Sequence, residues 1–273
     1  MNEKESPQIS VVVPTKDEER NIAACLGAFD GVRDRVEIVV VDNASTDRTR
    51  EIAASLGARV FTQGPERCAQ RNRGWREAHG SVVLFVDADM ILPAATIDEL
   101  LAFYVAPANA ATALYVPEHR VGSGLRLRAR NFERSFYDGT CIDGLRAIPR
   151  AALERVGGYD ESLVACEDWD LDRRLLAEGV PVATLKNALL HNEANQGLSR
   201  LLKKKAYYSA SVDAYRRKWN DDATCRKQFG LAYRYFGVFT ENGKWRRLLL
   251  HPVLTSVMYA ERFLVGLTYL LNR

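Results

Sequence analysis

Ile9-Ser10-Val11-Val12-Val13, Val36–Val41 and Val82–Val86 are short, nearly unbroken apolar runs, and polar residues follow the C-terminal end of each. Runs of five or six aliphatic and β-branched residues without alternation read as strands buried on both faces. Helical stretches separate them. Asp17-Glu18-Glu19 puts acids in the first turn of a helix expected over about 17–29, where the helix dipole favours them. Further helices are expected over about 46–56 and 67–78, with a short strand at 59–61. Alternation of this kind means βαβ units, an α/β class with a mostly parallel sheet flanked by helices. Ligands of such sheets bind beyond the carboxyl ends of the strands. Thr15, Asp42 and Asp87 all fall at such ends, so three separate segments converge on one rim.

The third run ends in Asp87-Ala88-Asp89. Two carboxylates held together at a sheet rim repel, so one takes up a proton or a cation sits between them. Carboxylate oxygens suit Mg²⁺ or Mn²⁺, and Mg²⁺ commonly shares its shell with substrate phosphates. Downstream, helices are expected over about 97–104, 125–137, 151–156 and 169–178, with a strand at 113–116 and Gly179 closing the last helix. After Arg200 the chain reads as helices to its end.

At 273 residues, with 47% hydrophobic and 27% charged residues, the chain can bury a large core and is not of a disordered composition. Its net charge of +3 hides an asymmetry: 15 Lys/Arg against 5 Asp/Glu from Arg200 onward, leaving 23 against 30 before it. The acidic part carries the suspected cation site, and the basic tail suits an anionic surface. That shift sets the expected division into a catalytic part, 1–199, and a helical extension, 200–273. Cys25, Cys68, Cys141, Cys166 and Cys225 are odd in number and never spaced Cys-x-x-Cys, which favours reduced thiols in a cytoplasmic setting. Met1–Gln8 lacks an apolar signal core, and no run of about 18 apolar residues predicts a spanning helix.

Four motifs, in order, carry a resemblance. Val13-Pro14-Thr15-Lys16-Asp17-Glu18 opens the chain, with Asp17 in place of a customary Asn. Val41-Asp42-Asn43-Ala44-Ser45-Thr46-Asp47 follows, then Arg67 through Gln70 to Asn72 and Gly74. Last come Gly157-Gly158-Tyr159-Asp160 and Glu167-Asp168-Trp169-Asp170 with Arg173. Together with the Asp-x-Asp, these resemble the inverting family 2 glycosyltransferases of the GT-A fold, over roughly Ile9 to His191. The resemblance implies a nucleotide-sugar half at about 9–92 and an acceptor half at about 93–199.

It also implies roles. Asp42 would accept the N3–H of a uracil base, a donor that guanine offers too. Pro14, Thr15 and Glu18 would meet base and ribose, Arg67 and Asn72 the diphosphate region, and Asp87 the ribose, with Ala88 beside it in the donor pocket. Asp89 would bind the metal, and His191, after another apolar run, is a candidate further ligand. Asp168 would be the general base that takes the acceptor's proton, with inversion at the sugar carbon. Glu167, Lys204 and Tyr208 are candidates for acceptor or diphosphate contacts. Asp170 with Arg173 reads as an ordinary helix pair.

The family's processive synthases carry a Gln-x-x-Arg-Trp motif after the base; this chain has none, which favours single addition. Lys244-Trp245-Arg246-Arg247 precedes the apolar stretch Leu248–Leu271, interrupted by His251-Pro252 and Glu261-Arg262. Cations and Trp beside an apolar helix suit the membrane interface. The expected partners are therefore a nucleotide sugar, a saccharide or polyprenyl-linked acceptor, and the inner face of the cell membrane as a peripheral contact. No nucleic acid is expected, and the oligomeric state is open. A sugar nucleotidyltransferase is the rival enzyme, but Val13–Glu19 lacks the glycine-rich phosphate loop it needs. A degenerate scaffold subunit is the other rival.

Overall fold

A computed structural model describes residues 8–192 and 212–271. Among the described residues, ten strands make two sheets. β1 (Ile9–Thr15), β2 (Val36–Asp42), β3 (Arg59–Thr62) and β4 (Val82–Phe85) run parallel. β5 is Met90–Ile91, β6 Ala113–Tyr115, β7 Glu118–Arg120, β8 Leu145–Pro149, β9 Val182–Thr184 and β10 Leu189–His191. The larger sheet is ordered β3-β2-β1-β4-β8-β6-β9, and only β8 opposes its neighbours. The smaller is β5-β10-β7. This is the α/β, mostly parallel class the apolar runs require, although four of the strands, β5, β7, β8 and β9, have no strand-like sequence signal.

Helices over the sheet are α1 (Ile22–Gly27), α2 (Thr49–Ser55), α3 (Arg67–Glu77), α4 (Ala94–Val105), α5 (Leu125–Arg134), α6 (Arg150–Val156) and α7 (Glu167–Ala177). Because side chains alternate along a strand, each run feeds two cores. Val11, Val13, Ile38, Val40 and Leu84 pack with α1, α2 and α4, while Val12, Val39, Val41, Val83 and Phe85 pack with α3, α6 and α7. α3 lies so close to β1 that a Cβ on Gly74 would stand 2.2 Å from Val12 Cγ1. Burying each such aliphatic side chain stabilises the fold by roughly 1.5–3 kcal/mol.

Two boundaries differ from expectation. Pro14 follows the first apolar run, where a proline is expected to stop the strand, yet β1 continues through it to Thr15, paired with Asp42. The β1–β4 pairing ends at Val12 and Phe85, so the N–H that Pro14 lacks falls on a side with no partner strand left to serve. The first helix is shorter than 17–29 because Asp17 adopts a left-handed backbone (φ 52°) and turns its carboxylate across to the Thr46 N–H, 2.8 Å away.

The C-terminal residues are helical, as expected, where they are described: Ala223–Phe229, Trp245–Leu250 and Pro252–Leu271. Their inner side packs on the end of α5 and the region after it, where Phe132, Phe136 and Ile142 meet Tyr233, Val238, Phe239 and Met258. Ion pairs of Arg126 with Glu261 (2.7 Å) and of Glu133 with Arg262 tie the last helix to α5. Among the described residues, no helix is long and apolar enough to cross a membrane. The division expected at 199/200, together with Lys204 and Tyr208, lies outside the described residues.

Candidate active site

The rim begins where β1 and β2 end side by side. Asp42 is fully buried, and its carboxylate accepts the Ser45 N–H at 2.8 Å and the Ser45 hydroxyl. Arg50 stands 3.9 Å from it. The loops after β1 and β2 are sewn together: Lys16 Nζ donates to Asn43 O, Asp17 N to Ser45 Oγ and Glu18 N to Thr49 Oγ1, each at 2.8 Å. Gln70, reaching from α3, donates to both Thr15 O (2.9 Å) and Val41 O (2.7 Å), which pins the two strand ends. Beside this bracing, the hydroxyl oxygen of Thr15 is buried and has no hydrogen-bond partner. An unpartnered buried hydroxyl costs free energy, so a site that keeps one is shaped for something polar.

Beyond β4, Asp87 is met by a cation that motif reading passed over. Arg71, 3% exposed, donates Nη2 to Asp87 Oδ1 (3.1 Å) and Nη1 to Asp168 Oδ1 (2.9 Å), and lies 3.6 Å from Glu167. Its guanidinium also sits over the Tyr159 ring, 5.2 Å from the centroid. Arg67 joins more loosely, 3.9 Å from Asp87 and 3.8 Å from Glu167. Burial opposes charge on Asp87, but Arg71 and Arg67 outweigh it and hold the carboxyl well below the usual carboxylate range. Glu167 goes the other way: burial, and the negative charge of Asp168 beside it, raise it to about 7 despite the two arginines.

Asp168 occupies the first turn of α7, where the helix dipole favours a carboxylate. Its side chain is 41% exposed, open enough to meet a ligand. Gly144 lies underneath, and a Cβ there would come within 3.1 Å of Asp168 Cβ. Behind Asp168 is a cavity of about 200 Å³, lined among others by Arg71, Glu118, Tyr137, Arg146, Tyr159 and Trp169.

The small sheet builds the third part. Asp89 precedes β5, whose Met90 pairs with His191 on β10, and Asp89 Oδ2 stands 3.2 Å from His191 Nε2. On the other side of the ring, Nδ1 is 2.8 Å from Glu118 Oε1 on β7. Burial works against charge on Glu118, but His191, Arg146 and Arg134 pull its carboxyl down to about 2. No three His, Cys, Asp or Glu side chains among the described residues converge as a metal cage. One carboxylate and one imidazole facing each other would offer a cation two ligands and leave its other positions open. Glu18 approaches from α1's entry loop, and burial first, then the charges of Asp89, Asp47 and Asp87, raise its pKa even though Asn21 donates to it at 2.7 Å.

Several expected contacts fall elsewhere. Asn72 is buried and fully engaged: Nδ2 donates to Tyr159 O (2.9 Å) and Glu161 Oε1 (2.8 Å), while Oδ1 accepts from Tyr159 N (2.8 Å) and Trp75 Nε1 (3.1 Å). All four hydrogen-bonding positions of the amide are used, so Asn72 holds the loop at Gly158 instead of facing a diphosphate. Ala88 packs in the core, leaving only its backbone to the rim. Asp170 pairs with Arg174 (2.8 Å), not with Arg173, which instead pairs with Asp222 and stacks on Trp219 at 3.7 Å. Arg71 could have been read from its place between Gln70 and Asn72. Glu118 could not, because its partner is 73 positions away.

A family model described as Glycosyl transferase family 2 matches residues 10–159. The probable glycosyltransferase YdaM of Bacillus subtilis (strain 168) is 28% identical over 206 residues, 64% of this chain and 48% of that protein. The glucosyl-3-phosphoglycerate synthase of Mycolicibacterium paratuberculosis is 38% identical over 98 residues, 31% of this chain and 29% of that one. The chain thus spans less than half the length of either relative. Among solved structures, the mannosyltransferase PcManGT of Pyrobaculum calidifontis, in complex with GDP-Man and Mn²⁺, superposes with a TM-score of 0.61 at 21% identity, covering 93% of this chain and 75% of that one. The fold is therefore GT-A, and with the family model matching more than half of its length the chain belongs to glycosyl transferase family 2.

Proposed function

We propose that this chain is a metal-dependent, inverting, non-processive glycosyltransferase moving one sugar from a nucleoside-diphosphate sugar, UDP-linked, to an acceptor hydroxyl. The observation that carries the reading is the Arg71 bridge, in which one buried cation touches both Asp87 of the donor rim and Asp168 beside the cavity. Donor and base sides then share one fixed distance, the positioning that group transfer needs. Asp42 and the unpartnered Thr15 hydroxyl are the contacts for base and ribose, with Pro14 and Glu18 beside them. Asp87 takes the ribose, and Arg67, 41% exposed, is near enough to the rim to reach a diphosphate. The cavity behind Asp168 takes the acceptor. Asp168 removes the proton from its hydroxyl as that oxygen attacks the anomeric carbon and the bond to the diphosphate breaks.

Asp89 and His191 would hold the cation, and the mixed oxygen and imidazole pair favours Mn²⁺ over Mg²⁺. When bound, such an ion neutralises charge on the leaving diphosphate. We further assign 9–92 to the donor half, 93–199 to the acceptor half and 200–273 to an extension that meets a membrane surface from the cytoplasmic side. Trp245, Leu249, Leu250, Val253, Phe263 and Leu264 are all exposed, with exposed Arg246 beside them. Those side chains support a polyprenyl-linked acceptor in cell-surface glycan assembly. The test is product analysis with a panel of nucleotide sugars and Mn²⁺. Release of a nucleoside diphosphate with an inverted anomer is expected, whereas pyrophosphate would assign the chain to nucleotidyl transfer instead.

A further inference from the structure

We propose that Glu118 is a positioning residue for the cation site, acting through His191 and held in place by Arg146. The inference rests on the reading of Asp89 and His191 as the cation's protein ligands. β7 and β10 pair in parallel with Glu118 opposite Leu189 and Arg120 opposite His191. Positions two apart share a face of a strand, so Glu118 and His191 stand diagonally on one face of the small sheet, a separation that two long side chains span. Glu118 Oε1 takes Nδ1 of the ring at 2.8 Å, and Oε2 receives Arg146 Nη2 at 3.3 Å with Arg134 at 4.0 Å. The carboxylate is buried and gripped from behind. It cannot turn away from the imidazole without giving up its pairing with Arg146, whereas Arg134 is also held by Asp138 (3.2 Å) and Asp143 (2.9 Å).

A carboxylate only accepts, so the ring donates its Nδ1–H to Glu118 and, with no cation present, its Nε2–H to Asp89 Oδ2, 3.2 Å off. A cation held between Asp89 and His191 would displace the Nε2 proton and take that lone pair, while the Nδ1–H stays on Glu118. Histidine ligands of metals commonly donate their second N–H to a carboxylate, which fixes tautomer and ring angle and raises ligand basicity. The chain Arg146–Glu118–His191–Asp89 has that form, and Arg146 also lines the cavity behind Asp168. A structural ion pair of Glu118 with Arg146 and Arg134 would explain the burial alone. It would not require the second carboxylate oxygen to be aimed at the one imidazole that faces Asp89.

The test is Mn²⁺ binding, read by electron paramagnetic resonance on the whole chain without any donor. In the unaltered protein, bound Mn²⁺ should show coupling to an imidazole nitrogen. Glu118→Gln should weaken Mn²⁺ by about 10–100-fold and diminish that coupling, in a variant that is still folded at the assay temperature although its thermal midpoint is lowered. Should Glu118→Gln not fold, the double variant Glu118→Gln, Arg146→Met removes the stranded guanidinium and carries the same expectation. Mn²⁺ affinity within twofold of the unaltered protein, with the nitrogen coupling intact, overturns the role of Glu118. His191→Ala separates the two levels: if it too leaves affinity and coupling unchanged, the ligand reading of His191 fails, and the inference with it.

Discussion

The strand-end rim and the C-terminal helices handle their side chains in opposite ways. At the rim, charged groups are buried and paired: Arg71 is 3% exposed and serves three carboxylates. In the extension, large apolar groups face outward, with Leu249 71%, Leu250 74% and Phe263 68% exposed. Buried charge is costly unless its partners are fixed, so the rim is shaped for an internal geometry. Exposed apolar surface is costly unless something covers it, so the extension is shaped for a contact outside the chain. The two regions should therefore fail differently when altered.

Asp168→Asn gives the largest effect expected at the rim. Turnover should drop by about 10²–10⁴-fold while nucleotide and Mn²⁺ binding persist. Turnover within tenfold of the unaltered enzyme would remove Asp168 from the base role, whereas no turnover of the unaltered chain with any donor would favour a scaffold. Arg71→Met comes next, since it leaves Asp87, Glu167 and Asp168 facing one another without their shared cation. Loss of one partner from a buried network costs about 3–5 kcal/mol, readable by urea unfolding. A loss under about 1 kcal/mol would mean the rim is not braced by charge.

Glu167 sharpens the point through pH. Its folded pKa of about 7 lies above the ordinary 4.5, so the folded state binds the extra proton. Stability should then fall as pH rises from about 4.5 to about 7 and level off above that. Glu167→Gln should abolish this fall, gaining on the parent by as much as roughly 3 kcal/mol by neutral pH. A pH-independent difference between the two would contradict the raised pKa. Trp245→Ala combined with Leu249→Ser should give the smallest change, in the extension alone. Sedimentation with anionic vesicles should weaken by about tenfold while turnover on a water-soluble acceptor stays the same. A loss of stability in place of vesicle binding would show that these side chains are packed against another protein surface.

How much of this was legible in the sequence follows from range. β1, β2 and β4 were readable because strands buried on both faces are written as continuous apolar runs, and Thr15, Asp42 and Asp87 came with them. α1 was overestimated because Asp17, an acid suited to a helix start, bonds instead across 29 positions to Thr46. Asn72 stood in the right motif, yet its amide is consumed by the loop at Gly158, where a Cβ would come within 2.5 Å of Asn72 Oδ1. The strands of the small sheet are two or three residues long and carry no period of their own. Glu118 and Arg146 could emerge only with that sheet assembled.

That assembly also sets an order of events during synthesis. Asp89 and His191 are separated by 102 positions, and β5 and β7 become neighbours only through β10. A nascent chain that has emerged only as far as β4 can already align the ends of β1, β2 and β4, because those strands pair among themselves. It cannot yet hold a cation between the two proposed ligands, since the histidine and the strand that carries it are still unmade. Domains tend to fold as units in the order they emerge, so on the proposed ligand assignment cation affinity is acquired late, and its appearance marks the closing of the small sheet onto the strands made first.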